Sequence, residues 1–455
     1  MNVQLRTLTL PAQAPTADQP RIPVEEYARA CDALYAAAAS DWVVIYGDRE
    51  HAANLSYLCG FDPRFEEALL VLGRGARRTL IVGNEGVGYA SVAPIELEIA
   101  LAQSLSLMGQ TRVRAPRLAA VLHAIGIAEG HQVAVIGWKY LEPEETDDPT
   151  APAFVPALLV DILRRLAGPS GRLVDTTPLL LHPSAGLKVR NSAARIAAAE
   201  WSAMRAGEAV LRIVRGARPG MTELEAAGLM QYQGDPLTCH MMLSGGRGPI
   251  VGLSSPSDRR LAAGDGITTA VGFRSSLCCR AGLLAAAADD TFRQEFVTPY
   301  FRAVATWWQT LRIGVTGDAV QRAVQASLEG APFALALNPG HLIADDEWMH
   351  TPIGLGSQER IVSGMLFQCD IIPAPLPDGY ALNCEDTLAV ADADLCAALA
   401  AGYPDLWRRV EMRRTFMRGA LGIPIADDLL PLSPAPAYLA PFWLQSDLVC
   451  TLADG

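Results

Sequence analysis

The chain has 455 residues, half of them hydrophobic and 19% charged, with a formal net charge of −12. That length predicts two or three domains with full cores, and so apolar a composition predicts a large buried interface, as in a homodimer. An acidic chain without clustered Lys and Arg is expected to bind neither nucleic acid nor anionic membrane.

Residues 1–22 carry Pro11, Pro15 and Pro20 and predict a flexible arm rather than a signal peptide. Residues 27–39 have helical periodicity, and the run Trp42-Val43-Val44-Ile45-Tyr46 predicts a buried strand. Residues 68–72 and 79–82 predict paired strands around Gly73-Arg74-Gly75, with a further strand at 132–137. Helical segments at 117–126 and 157–166 alternate with them, which predicts an α/β domain. A long amphipathic helix is expected over 188–215, and Thr222 with Glu225 reads as a capping box opening the next helix. Residues 238–242 predict a strand carrying His240, followed by a loop over 243–256. Beyond residue 391, a basic helix is expected at 408–418 and extended chain at 430–436.

Nine cysteines occur and none has CxxC spacing, so reduced thiols and a cytoplasmic protein are expected. No apolar run is long enough to span a bilayer.

The chemistry-bearing residues come late. Asn338-Pro339-Gly340-His341 precedes Trp348-Met349-His350, then Phe367-Gln368-Cys369-Asp370, then Asn383-Cys384-Glu385-Asp386. Further upstream stand Asn54-Leu55-Ser56-Tyr57-Leu58-Cys59-Gly60-Phe61 and Gly220-Met221-Thr222-Glu223. In this order the motifs resemble the creatinase/prolidase/aminopeptidase P superfamily, over roughly residues 50–390. The resemblance implies an N-terminal creatinase-like α/β domain at 23–180 and a C-terminal pita-bread domain at 181–400. A C-terminal extension at 401–455 is expected to pack on the fold or on a dimer partner. In the implied homodimer, the N-terminal domain of one subunit lies near the pocket of the other.

Metallopeptidases of that superfamily hold two metal ions with two Asp, one His and two Glu. The resemblance places His341 at the His position, Asp370 where a Glu is usual, and Glu385 at the last Glu. The two Asp positions fall near Ala270 and Ala281, after the Gly264-Asp265 turn, and residues 266–288 contain no Asp, Glu or His. A dinuclear centre is therefore not expected, and no metal or other cofactor is assigned. Creatinase, which works without metal, is a precedent, although the loop at 243–256 lacks its histidine.

The expected function is a metal-independent, creatinase-like enzyme. It would cleave a C–N bond or related group of a small polar substrate by acid–base chemistry through His341, His350, Asp370 and Glu385. His240, Arg247 and Arg280 are candidate substrate-binding residues, the arginines for a carboxylate. Asp345-Asp346-Glu347 reads as a solvated loop, with replacement ligands beside His341 as the alternative. Two other functions stand beside the first: an Xaa-Pro-type metallopeptidase with an altered, mononuclear site, and an inactive member that binds a ligand or a protein.

Overall fold

A computed structural model of the chain describes residues 1–250, 252–287 and 289–453. It contains two compact units, residues 22–188 and residues 1–21 with 189–455.

The first unit is built on a six-stranded mixed sheet. Its strand order is Glu98–Leu101, Arg77–Val82, Ala68–Gly73, Trp42–Gly47, Gln132–Ile136 and Arg172–Asp175. The central strands Trp42–Gly47 and Ala68–Gly73 are buried along their whole length. Continuous apolar runs suit a strand covered on both faces. The helices Leu118–Ile125 and Ala157–Ala167 pack Leu122, Ile125, Leu159 and Leu163 onto this core. Asn54-to-Phe61 has a local physical reason. It forms the helix Ala53–Cys59, ended by Gly60 at φ 69°, where an added Cβ would meet Pro94 at 2.5 Å. The buried Asn54 side chain donates to Gly137 O at 2.8 Å and accepts from Lys188 Nζ at 3.1 Å.

The second unit holds two four-stranded antiparallel sheets. One runs Asn383–Glu385, Ser276–Leu283, Gly266–Phe273, Met242–Gly246; the other runs His341–Leu342, Leu366–Gln368, Thr387–Val390, Leu429–Pro431. The helix Ala193–Gly216 packs Ala206, Val210 and Ile213 against Ile267, Val271 and Cys278 of the first sheet. The expected capping box at Thr222 and Glu225 is present. Residues 238–241 lie outside the strand expected there, which starts only at Met242 and continues into the expected loop.

The expected arm at 1–22 is in part a strand: Val3–Thr7 pairs antiparallel with Leu448–Leu452. Gln13 bonds Arg413 and Pro434 O, and Trp201 Nε1 donates to Thr16 O. The C-terminal extension packs on its own unit. Its helix Pro404–Thr415 sets Arg409 and Arg413 against buried Glu200, at 2.6 Å from each. Among the described residues, no helix is long and apolar enough to cross a membrane.

The two sheets share one continuous stretch of chain. Asn383–Glu385 belongs to the first and Thr387–Val390 to the second, with Asp386 between. Asp386 is fully buried and lies 2.8 Å from Arg280 Nη2. Arg280 also donates to Glu385 O at 2.8 Å, Cys279 O at 2.7 Å, Tyr438 O at 2.9 Å and Ala435 O at 2.7 Å. All five guanidinium N–H donors are thus used. Arg280→Met should destabilise the protein by about 3–5 kcal/mol, the usual cost of stranding a buried charge. Urea denaturation checks this, and an unchanged midpoint would contradict it.

Candidate functional site

Alternation along the strands decides what faces the site. On Ser276–Leu283, Leu277, Cys279 and Ala281 line a cavity of about 640 Å³, while Arg280 points away to Asp386. Thr268 and Ala270 on the neighbouring strand also line it. Register puts Met242, Ala270, Cys279 and Glu385 in one row across four strands, and Thr268, Ala281 and Asn383 in the next. Ala270 and Ala281, the positions where the superfamily resemblance implies aspartates, therefore face the cavity as methyl groups.

Three carboxylates line the cavity: Glu347, Asp370 and Glu385. His341 stands directly behind them, with its side chain 1% exposed. Its Nδ1 lies 3.2 Å from Leu342 O, so that nitrogen carries the proton and Nε2 turns to the acids. Nε2 is 3.5 Å from Glu347 Oε1 and 3.7 Å from Glu385 Oε1. The Trp348 ring stacks on the imidazole at 4.1 Å and 17°. Asp370 Oδ1 and Glu385 Oε1 are buried without a hydrogen-bond partner.

Burial is the main perturbation. It pushes the Asp370 carboxyl up to about 8, with Glu385 adding to the rise and His341 and an Asn383 hydrogen bond opposing it. Burial also raises Glu385 well above the usual carboxylate range, helped by the charges of Glu347 and Asp386. Glu347 is raised by burial too, against the pull of His341. Burial drives the Cys279 thiol far up, which disfavours the thiolate a nucleophile needs.

The structure brings His341, Asp370 and Glu385 together. His240 is at the cavity wall, with Nε2 donating to Leu253 O at 2.7 Å. The other expected site residues sit elsewhere. Arg280 serves the buried ion pair described above and does not line the cavity. Arg247 is on the outside, bonded to Asp265 at 3.2 Å and to Ala263 O at 2.5 Å. His350 pairs through its backbone with Leu342 and takes Thr351 N–H on its own Nδ1 at 2.8 Å, away from the lining. The carboxylate-binding arginines expected from sequence are thus absent from the lining among the described residues. Sequence reasoning missed Trp348 and Asn383, and placed Glu347 mainly in solvent. The one available signal was that Glu347-Trp348 follows His341 within a hairpin turn.

His341, Asp370 and Glu385 offer ligand atoms within 4.8 Å of one another. With two orphaned carboxylate oxygens among them, they fit one divalent cation. They do not fit two, because the strands Gly266–Phe273 and Ser276–Leu283 contribute no Asp, Glu or His.

No protein-family profile matches the chain, and no curated protein matches its sequence. Solved structures do match. The prolidase from Pyrococcus horikoshii aligns with TM-score 0.62 at 14% identity, over 80% of this chain and 95% of that one. The X-Pro aminopeptidase from Thermotoga maritima gives 0.62 at 16% identity, over 80% and 95%. The dipeptidase PepE from Mycobacterium ulcerans gives 0.60 at 20% identity, over 82% and 95%. The chain therefore has the α/β pita-bread fold of these prolidase and aminopeptidase P structures.

The Asp370 value of about 8 lies above an ordinary carboxylate. Its contribution to stability is thus full below pH ~4 and is lost as pH rises through about 8. Asp370→Asn should flatten the fall in unfolding free energy between about pH 4 and about pH 8, measured by denaturation in EDTA. Equal falls in the two proteins would contradict the assignment.

Proposed function

We propose that the chain is a hydrolase that cleaves a C–N bond of a small substrate by acid–base chemistry, of creatinase type, without a dinuclear metal centre. The observation that carries this is the pair of buried carboxyls that line the cavity, Asp370 and Glu385, each with one unpartnered oxygen and backed by His341. Groups this buried keep protons at neutral pH. A protonated carboxyl can donate to a leaving nitrogen. Its neighbour, once its own proton has passed to His341 Nε2, can draw one from the attacking water. Two carboxyls facing one imidazole can hold the same protons in several arrangements, so acid and base roles can be exchanged and reset after turnover.

A second reading, an Xaa-Pro-type peptidase with one metal, is favoured by the three-residue ligand set and by the peptidase folds that the chain resembles. His341, Asp370 and Glu385 would hold the ion. It would polarise a substrate carbonyl and acidify a water.

One experiment separates the two readings. A panel of small amides, with Xaa-Pro dipeptides among them, is followed chromatographically with EDTA-treated and Mn²⁺-supplemented protein. Acid–base hydrolysis predicts turnover that survives EDTA. It also predicts a loss of about 10²–10⁴-fold in Glu385→Gln and His341→Ala. Turnover only with added metal favours the second reading, and two tightly bound metal equivalents would overturn the first. A cytoplasmic homodimer is part of the proposal. Light scattering tests the dimer, and a strict monomer at micromolar concentration counts against it.

A further inference from the structure

We infer that the cavity takes a small, largely apolar molecule carrying a positively charged amine, recognised by Glu347 and the Trp348 ring. This deepens the proposed hydrolase reading by naming its ligand class.

The charge pattern comes first. Glu347, Asp370 and Glu385 line one cavity, and among its described lining residues there is no Lys or Arg. The lining imidazole, His240, already gives its Nε2–H to Leu253 O. No cationic side chain is there to hold an anionic ligand, and the carboxyls repel it wherever they are ionised. An ammonium brings three N–H donors to a wall that carries three carboxyls.

The acids alone would not make a site. However, Asp370 and Glu385 are each 5% exposed, and each keeps a buried oxygen with no hydrogen-bond partner. Unpaired oxygens of this kind are costly, and whichever of them carries no proton can accept from a ligand N–H. The rest of the wall is apolar, with Met242, Leu253, Leu277 and Leu376 among its residues, so the amine must have an apolar body. About 640 Å³ accommodates a small organic molecule.

Glu347 is the natural anchor. Its side chain is 28% exposed, against 7% for Glu385, so it meets an incoming cation first. Trp348 next to it is 44% exposed. One face of its ring is covered by His341, and what is left open offers the cation an aromatic surface. Glu347 lies outside the three-residue set that fits a metal ion, which lets amine binding and metal binding be tested apart.

The test is calorimetric titration of the full chain, dialysed against EDTA, with phenethylamine, 2-phenylethanol and 3-phenylpropionate, which share one apolar body. The amine should bind about tenfold or more tightly than the alcohol, as a charge-assisted hydrogen bond allows, and the acid should not bind. Glu347→Gln should remove the preference for amine over alcohol while leaving alcohol affinity unchanged. Trp348→Leu should weaken the amine more than the alcohol. Circular dichroism of both variants verifies folding, and Glu347→Asp, which keeps the charge, should retain part of the preference. Equal binding of acid and amine, binding of none of the three, or an amine affinity untouched by Glu347→Gln would each overturn the inference. These are binding readouts. Absence of turnover in the amide panel would sink the hydrolase reading and leave the amine preference standing.

Discussion

The cavity-bearing unit depends on one ion pair, Arg280 with Asp386. Asp386 is the single residue between a strand of one sheet and a strand of the other. Adjacent residues on extended chain point opposite ways. Once Asp386 is held by Arg280, Glu385 has no choice but the cavity. Arg280 also takes the carbonyls of Glu385, Ala435 and Tyr438, so the same guanidinium fixes a cavity carboxylate and the C-terminal segment. A buried pair of this kind earns its desolvation cost only when every donor is met, and here every donor is. The arginine expected to bind substrate is thus an internal fastener of the cavity-bearing unit.

Much of the architecture was legible from periodicity. The strands at 42–46, 68–72 and 132–137, the long helix after residue 188 and the Thr222 cap all occur close to where residue patterns predict them. Local rules set these elements, so a local reading finds them. What escaped is non-local. Val3–Thr7 becomes a strand only because Leu448–Leu452 pairs with it. Nothing in VQLRT announces that partner. Arg280 looked like a substrate-binding cation because composition cannot tell which face of a strand a residue takes until the register is known. The order of His341, Asp370 and Glu385 was informative, and the three side chains do meet. Glu347 was hidden in a run of three acids, a pattern that usually means solvent. Only the turn that stacks Trp348 on His341 brings the third acid inward.

The rows across the first sheet explain the electrostatic character of the cavity. Ala270 and Ala281 put methyl groups beside Cys279 and Asn383. The wall is therefore uncharged on that side and carries its carboxyls on the other. Low-polarity surroundings penalise each ionised carboxyl, and the surviving acids respond by holding protons. Burial thus sets the proton affinity of the acids that line the cavity. Its properties should follow the solution pH and the charge of whatever enters.

The pairing of the first strand with the last carries a consequence for how the protein is made. Thr451 Oγ1 reaches Gln4 O across 447 positions of sequence. On the ribosome, residues 3–7 emerge long before residues 448–452, their partner. The unit spanning 22–188 has its own core and is free to fold in the interval. The other unit must keep an unpaired edge waiting, with the late closure that such long loops impose. Aggregation during biosynthesis should therefore concentrate at that waiting edge.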